Sequence, residues 1–548
     1  MKILSVFLLI PSIVSYYLIE NFQALAQISG DTSLGSENSQ INRVQVEGIV
    51  TDRITGGAVR GTNLFHSFQE FSIDKGTAVL FNNPITVKNI IGRITGGSSS
   101  RIDGVIRANG NANLFPINPN GIFFGSNARL DIGGSFFGIA ASGIKFDNGF
   151  IYETQNPRVP PLLTINIPSG FYRGDRGGDI IVSGSELQVK SERTLALIGD
   201  RLLIDGGILQ AENGRIALIG IDNSSEISLQ PNGTLYFGSK IPNPVGEIFL
   251  SNRAIVQTSG ESGGSIQLYA KNIEITEGSK IISDTFGNSN GQEITILASN
   301  FSLSAGAFIG TATFGEGKGG DITIHVSENV EIAGRGRLQP IFIFGALQGK
   351  RQISDRETGG IFTGTTGSGN AGDIALYTGE LNVINGGVIS SASFGRGRGG
   401  DIDISATDSV VLAGSGLSSD SLVPGVPLTG PNQVPTGLST TGFIAGDAGN
   451  ITVKTGTLIL RDGSTISAST TSDGRAGSVS LNASDSMEMK GFSTGQPLPT
   501  IVSSVSVGGT GAGGTIDIAT PRLVIRDGGT VFTMSGTYTY SGLNSSEG

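Results

Sequence analysis

An interval of 28 residues keeps returning in the C-terminal half of the chain, and it governs what the chain can become. A short polar pair, usually opened by glycine, leads into an apolar residue at Gly264-Ser265-Ile266, Gln292-Glu293-Ile294, Gly320-Asp321-Ile322 and Gly372-Asp373-Ile374. The pattern continues at Gly400-Asp401-Ile402, Gly449-Asn450-Ile451, Gly477-Ser478-Val479 and Gly514-Thr515-Ile516. Successive apolar residues lie 28, 28, 52, 28, 49, 28 and 37 positions apart. Twelve positions beyond each stands a glycine: Gly278, Gly306, Gly334, Gly386, Gly414, Gly463, Gly491 and Gly528. Glycine fills 85 of 548 positions, so this agreement reflects register and not composition. Glycine at such a point supplies either a turn with positive φ or a close approach of two backbones.

Between these marks apolar residues alternate, as in Ile322-Thr323-Ile324-His325-Val326. Period two means strands with one buried face. A 28-residue unit therefore reads as three short strands and three turns. Its six or seven apolar side chains cannot offset the entropy of ordering its backbone unless units stack. The expected fold is all-β, a right-handed parallel β-helix (solenoid) with ~28-residue coils in the C-terminal half. Filled at one coil per repeat, the chain would hold roughly 18 coils in a rod on the order of 85 Å long. A β-sandwich, needing about 100 residues per domain, does not suit the repeat.

The coils come in two kinds. The intervals of 52, 49 and 37 follow Ile322, Ile402 and Val479, so every second coil carries extra length after its marker glycine. The strand before that glycine shifts as well, with Leu381 and Val383 in one kind and Val410 and Leu412 in the other. Proline collects in the extra stretches at Pro340, Pro424, Pro427, Pro431, Pro435, Pro497 and Pro499, as suits unpaired backbone. Insertions are expected near 335–358, 415–440 and 492–505, on one side of the rod.

Lys2, an apolar run over 3–19 broken by Pro11, and Ala24-Leu25-Ala26 form a secretory signal with Gln27 as the mature N-terminus. The chain thus leaves the cytoplasm, yet it has no cysteine, so packing and hydrogen bonds must hold it. A net charge of −10 offers no basic surface for nucleic acid.

Residues 27–262 repeat less regularly, and here several motifs stand in order. Asn113-Leu114-Phe115-Pro116-Ile117-Asn118-Pro119-Asn120-Gly121-Ile122 is followed by Leu130-Asp131-Ile132-Gly133-Gly134. Upstream lie Asn63-Leu64-Phe65-His66-Ser67-Phe68 and Asn89-Ile90-Ile91-Gly92-Arg93-Ile94. Together they resemble the N-terminal two-partner-secretion (haemagglutination activity) domain of the filamentous haemagglutinin family, in its cyanobacterial form, most closely over residues 40–150. The family's earlier Asn-Pro-Asn-Leu motif has only Asn82-Asn83-Pro84-Ile85 as its counterpart.

The resemblance implies export by an outer-membrane two-partner transporter whose periplasmic receptor domains bind this region. It implies a secreted adhesin at the outer surface of a Gram-negative-type bacterium, and no cofactor. The domain boundaries expected are a signal peptide over 1–26, the secretion domain with its N-terminal cap over 27–262, and a repetitive β-helix with inserted loops over 263–548. Asn118, Pro119, Asn120, Gly121 and Ile122, with Asn83 and Pro84, are its candidate secretion motif. The residues alone read as a tight turn; direct contact with the transporter is the other role, and the two are compatible. No cap is evident after Asn544, where the next coil should open, and a truncated form of a longer exoprotein is expected.

Other constellations are weaker. Gly315-Glu316-Gly317-Lys318-Gly319-Gly320 and Gly395-Arg396-Gly397-Arg398-Gly399-Gly400 match Gly-x-Gly-x-x-Gly, but a strand follows where nucleotide binding needs a helix. Asp179, Asp321, Asp373 and Asp401 recur at one coil position, either as solvated turn residues or as a row attracting calcium. His66 and His325 have no metal-ligand spacing. The rival function is an extracellular polysaccharide lyase or hydrolase on the same β-helix, but the acids are spread at coil intervals, so the chain reads as no enzyme.

Overall fold

The computed structural model describes residues 27–155, 163–166, 168–221, 227–229, 235–236, 245–334, 359–414, 436–471, 473–491, 500–507 and 510–536. The expected signal segment, residues 335–358, and the coil expected near Asn544 lie outside them.

One parallel ladder runs through the molecule. Leu64, Ile90, Leu114, Phe136, Leu195, Ile216 and Ile266 are neighbours in register on successive coils. Ile294, Ile322, Ile374, Ile402, Ile451, Val479 and Ile516 continue the same column. All but Ile516 are buried, and they belong to one continuous apolar core. The molecule is therefore a parallel β-helix. Among the described residues fourteen rungs stand against the roughly 18 expected of the chain, and the 52-, 49- and 37-residue intervals each make a single step. At ~4.8 Å per step this ladder spans roughly 60 Å.

Each C-terminal coil has three walls. The first two come from one bent strand, such as Ile322–Ala333, in which Ile322, Ile324, Val326, Val330 and Ile332 are buried. Ser327 and Glu328 turn outward at the bend. In the next coil Ile374, Leu376 and Thr378 are buried and then Leu381 and Val383, so one residue fewer forms the bend. The pairing records the difference as a register shift between Thr378 and Glu380, after which Leu381 faces Val410 and Val383 faces Leu412. This is a β-bulge repeated in alternate coils, and it is the physical content of the two coil kinds.

The third wall stacks Phe308–Thr313, Gly360–Thr365, Val388–Ser393, Gly437–Gly442, Thr465–Thr470 and Thr500–Val507 in parallel. Two expected insertions were therefore drawn too long. Residues 437–440 and 500–505 are strand, and only 415–435 and 492–499 lie outside the described residues. Serine, threonine and glycine dominate this wall, so its strands lack the apolar alternation that marks the others.

Those hydroxyls have a task inside. Glycine-rich arcs join the third wall to the next coil, and their carbonyls accept hydrogen bonds from it. Thr311 Oγ1 donates to Gly320 O (2.6 Å), Thr313 Oγ1 to Gly317 O (2.9 Å), Thr365 Oγ1 to Gly369 O (2.6 Å) and Thr440 Oγ1 to Gly449 O (2.6 Å). A buried backbone carbonyl left unpaired costs free energy, so polar side chains line this corner of an otherwise apolar interior.

The marker glycines divide by coil kind. Gly278, Gly306, Gly386, Gly463 and Gly528 have φ of 71°, 80°, 88°, 80° and 91°, each behind a residue also at positive φ: Glu277, Ala305, Asn385, Asp462 and Asp527. Two left-handed residues in succession make a tight I′-like turn. Gly334, Gly414 and Gly491 instead lie where a Cβ would strike the carbonyl of Gly386, Asp462 and Asp527. Both uses of glycine occur, one in each kind of coil.

The N-terminal coils differ. Ile28–Gly30 runs antiparallel to Asn63–Phe71, and the hairpin of Ser39–Val46 with Ile49–Gly56 extends the wall begun by Ala78–Phe81. A separate antiparallel flap, Gly143–Phe146, Ile151–Glu153 and Pro168–Tyr172, packs on the outside. It buries Phe146, Tyr152 and Phe171 against Phe65, Ile91, Phe115 and Phe137. Strands such as Thr194–Gly199 are consequently buried on both faces. Among the described residues no helix is long and apolar enough to cross a membrane.

Gly400→Ala places a methyl against the Gly372 carbonyl and should cost about 1–3 kcal/mol. Gly97→Ala, with nothing within 4 Å of the added atom, should be close to neutral. Denaturant melts of both variants check this, and equal stability would contradict the packed glycine corner. Ile404→Ala, in the core, should cost about 2–5 kcal/mol in the same assay.

Candidate export motif

Asn118 is fully buried and ties three coils together. Its Nδ2 donates to Ser98 O and to Ser100 Oγ, both at 3.0 Å, on the preceding coil. Its Oδ1 accepts the Asn120 N–H (2.9 Å), while its own N–H donates to Ile139 O on the following coil (2.9 Å). Its carbonyl accepts the Gly121 N–H (3.1 Å), which closes a β-turn with Pro119 second, where the ring's fixed φ belongs. Pro119 is buried and Asn120 half-buried, with Asn120 Nδ2 donating to Gly96 O (2.9 Å). Gly121 has φ of 100°, and a Cβ there would lie 2.8 Å from Asp179 O, so only glycine fits. Ile122 is buried and pairs with Ser100 and Ile180. In the folded chain these side chains mostly face the protein.

Asn83 and Pro84 sit at another corner, where Ala78–Phe81 gives way to Asn89–Ile94. Asn83 is buried, accepting the Asn109 N–H (3.0 Å) and donating to Asn109 O (3.1 Å) on the next coil. Pro84 and Ile85 are exposed, Ile85 at 82%. The two turns are thus not brought together, but each uses a buried asparagine to hold its neighbour.

The same device recurs at the first asparagine of each of the three motifs quoted for the resemblance. Asn89 Nδ2 donates to Asn63 Oδ1 (2.9 Å) and Asn113 Nδ2 to Asn89 Oδ1 (3.0 Å), a ladder that continues through the Ser135 N–H to Asn113 Oδ1 (2.9 Å). The signal was in the sequence: each asparagine directly precedes the ladder's apolar residue, in Asn63-Leu64, Asn89-Ile90 and Asn113-Leu114.

The aspartate row is a hydrogen-bond ladder. Asp321 Oδ1 accepts the Asp373 N–H (2.7 Å), Asp373 Oδ1 that of Asp401 (2.7 Å), and Asp401 Oδ1 that of Asn450 (2.6 Å). Lys318 Nζ lies 2.8 Å from Asp321 and 2.7 Å from Asp373, and Arg398 pairs with Asp401. Asp179 instead pairs with Arg201. Among the described residues no group of three or more His, Cys, Asp and Glu side chains is placed to hold a metal. The Gly-x-Gly-x-x-Gly segments are the arcs themselves, each followed by strand. His325 is outside, stacked on Tyr377 with ring centres 4.5 Å apart.

His66 is buried among Phe68 and Phe81, its Nδ1 2.9 Å from Ser39 Oγ, and Gly57 leaves room for the ring. Burial pushes its pKa down to about 3, from 6.5. A folded-state pKa below the unfolded value means stability is whole above about pH 6.5 and is lost as pH falls toward about 3.

A parallel β-helix with an antiparallel cap and an outer flap on its first coils defines the class. Residues 26–268 match the family model described as TPS secretion domain. Over 176 residues the chain is 25% identical to the heme/hemopexin-binding protein of Haemophilus influenzae, covering 30% of this chain and 18% of that protein. The crystal structure of the HMW1 secretion domain from the same species aligns with 91% of this chain and 99% of its own, at 14% identity and a TM-score of 0.36.

His66→Gln should reduce the loss of cap stability between pH 6.5 and 4, read by hydrogen exchange of residues 28–71. An unchanged pH dependence would mean that His66 is not the group responsible.

Proposed function

We propose that the chain is an exoprotein which an outer-membrane two-partner transporter, through its periplasmic receptor domains, exports by its N-terminal region. The β-helix beyond it, 263–548, is then a rigid adhesive scaffold at or beyond the outer surface. The match of residues 26–268 to a secretion domain carries this reading. Two features of the remainder support it. Strand pairing in register ties each coil to the next, leaving a stiff rod. Segments 335–358, 415–435 and 492–499 follow one corner of alternate coils, after Gly334, Gly414 and Gly491, and loops on a rigid scaffold commonly carry binding. Asp321, Asp373 and Asp401 are engaged in the stack, which favours a binding role over polysaccharide chemistry along that row.

Deleting 27–150 should abolish release into the medium while leaving signal cleavage intact. Continued secretion of the shortened chain would overturn the export route. With export intact, trimming the three segments to the 28-residue coil length should impair attachment of cells to surfaces, and undiminished attachment would move the binding face elsewhere.

A further inference from the structure

Among the described residues an extended polar cluster lies at the N-terminal end, and the turn at Asn118 takes no part in it. Arg93, only 2% exposed, lies on the second rung of the ladder. Its Nε donates to Ser67 Oγ (2.9 Å) and its Nη2 to Ser33 Oγ (2.8 Å). Those hydroxyls in turn donate to the two carboxylate oxygens of Asp31, Ser33 to Oδ1 and Ser67 to Oδ2, both at 2.7 Å. Thr95 Oγ1 donates to the same Oδ2 (2.6 Å). A guanidinium fork and a carboxylate are thus joined through two bridging hydroxyls into a closed ring. The third arm, Arg93 Nη1, reaches Glu153 O on the outer flap (2.7 Å), and Tyr152 lies under the guanidinium, 4.3 Å from ring centre to Cζ. Tyr152 OH completes the contact by donating to His66 O (2.9 Å).

These groups come from three separate parts of the chain: the segment after the cap strand (Asp31, Ser33), the first coils (Ser67, Arg93, Thr95) and the flap (Tyr152, Glu153). None of the three can pair the buried Arg93 with the half-buried Asp31 alone. Without the cap segment Arg93 loses its counter-charge. Without the flap it loses both an acceptor and its aromatic support. Burial alone would raise the Asp31 carboxyl, but the hydrogen bonds from Thr95, Ser33 and Ser67 outweigh it and hold it below the usual carboxylate range. A buried charge missing one partner is far costlier than an intact network.

We propose that this cluster is a three-part latch which makes closure of the N-terminal cap and docking of the outer flap a single event. The consequence is an order of assembly. The cap segment, although first in sequence, cannot lock until residue 153 has joined the first coils, so the top of the stack stays open while only the earliest segment has folded. This goes beyond the export reading and is independent of which transporter, if any, handles the chain.

Hydrogen exchange on the full chain tests it. Arg93→Met should speed exchange by roughly a hundred-fold or more in both 28–40 and 143–154, and leave Ile402–Ala413 unchanged. Faster exchange in only one of the two segments would overturn the latch. Ser33→Ala provides the milder test should Arg93→Met yield no folded protein. It cuts one bridge in the cap segment, and residues 143–154, which Ser33 does not hydrogen-bond, should also exchange faster. Unaltered protection of the flap in Ser33→Ala would equally overturn it.

Discussion

Stacking at one glycine-rich corner is the constraint on which the rest of the rod depends. Gly320, Gly372, Gly400, Gly449, Gly477 and Gly514 form a column in which a Cβ on each would collide with a backbone carbonyl of the coil before. Gly317, Gly369, Gly397, Gly446, Gly474 and Gly511 form a second. Two backbones can approach this closely only without side chains. The approach narrows the coil, turns carbonyls inward, and so calls for the threonines and serines of the third wall. On the outside it brings Asp321, Asp373 and Asp401 to the distance at which each carboxylate accepts the next coil's N–H. The glycines, the inner hydroxyls and the outer acids are three aspects of one packing solution.

Because every coil meets only its neighbours, stability is built step by step, and the ends of such a stack are its weak points. At the N-terminal end an antiparallel strand and hairpin cover the first coils, the flap thickens them, and the Arg93 cluster joins all three. Apolar residues there serve two faces: Phe115 stacks on Phe137 at 4.5 Å outside the ladder while Leu114 and Phe136 fill the core.

This explains what could be read in advance. The C-terminal repeat was legible because its strands bury one face, so Ile322, Ile374 and Ile402 announced both period and register. The parity change between Leu381 and Val410 even marked the bulge. The third wall was poorly legible, since residues such as Ser390, Thr440 and Ser467 resemble loop chemistry, and two insertions were consequently drawn into it. The flap was not legible because the coil strands it covers, such as Thr194–Gly199, are buried on both faces and do not alternate. The turn at Asn118 was evident as a turn, and the structure adds that its asparagine is buried and spans coils. Arg93 stands in the motif Asn89-Ile90-Ile91-Gly92-Arg93-Ile94, but nothing in those residues signals partners 60 positions away on either side.

A chain without cysteines permits a direct measurement of the continuous stack. Thr295, Thr323, Ala375, Asp403, Thr452 and Ser480 follow one another in register on the outer surface of successive coils. Spin labels on Thr295→Cys and Ser480→Cys should therefore lie five steps apart, a backbone separation of about 24 Å at ~4.8 Å per step. A single narrow distance in that range, allowing for the label arms, is the predicted result of a pulsed dipolar measurement. A broad distribution centred well beyond it would mean that the long intervals divide separate units, and would contradict the continuous β-helix.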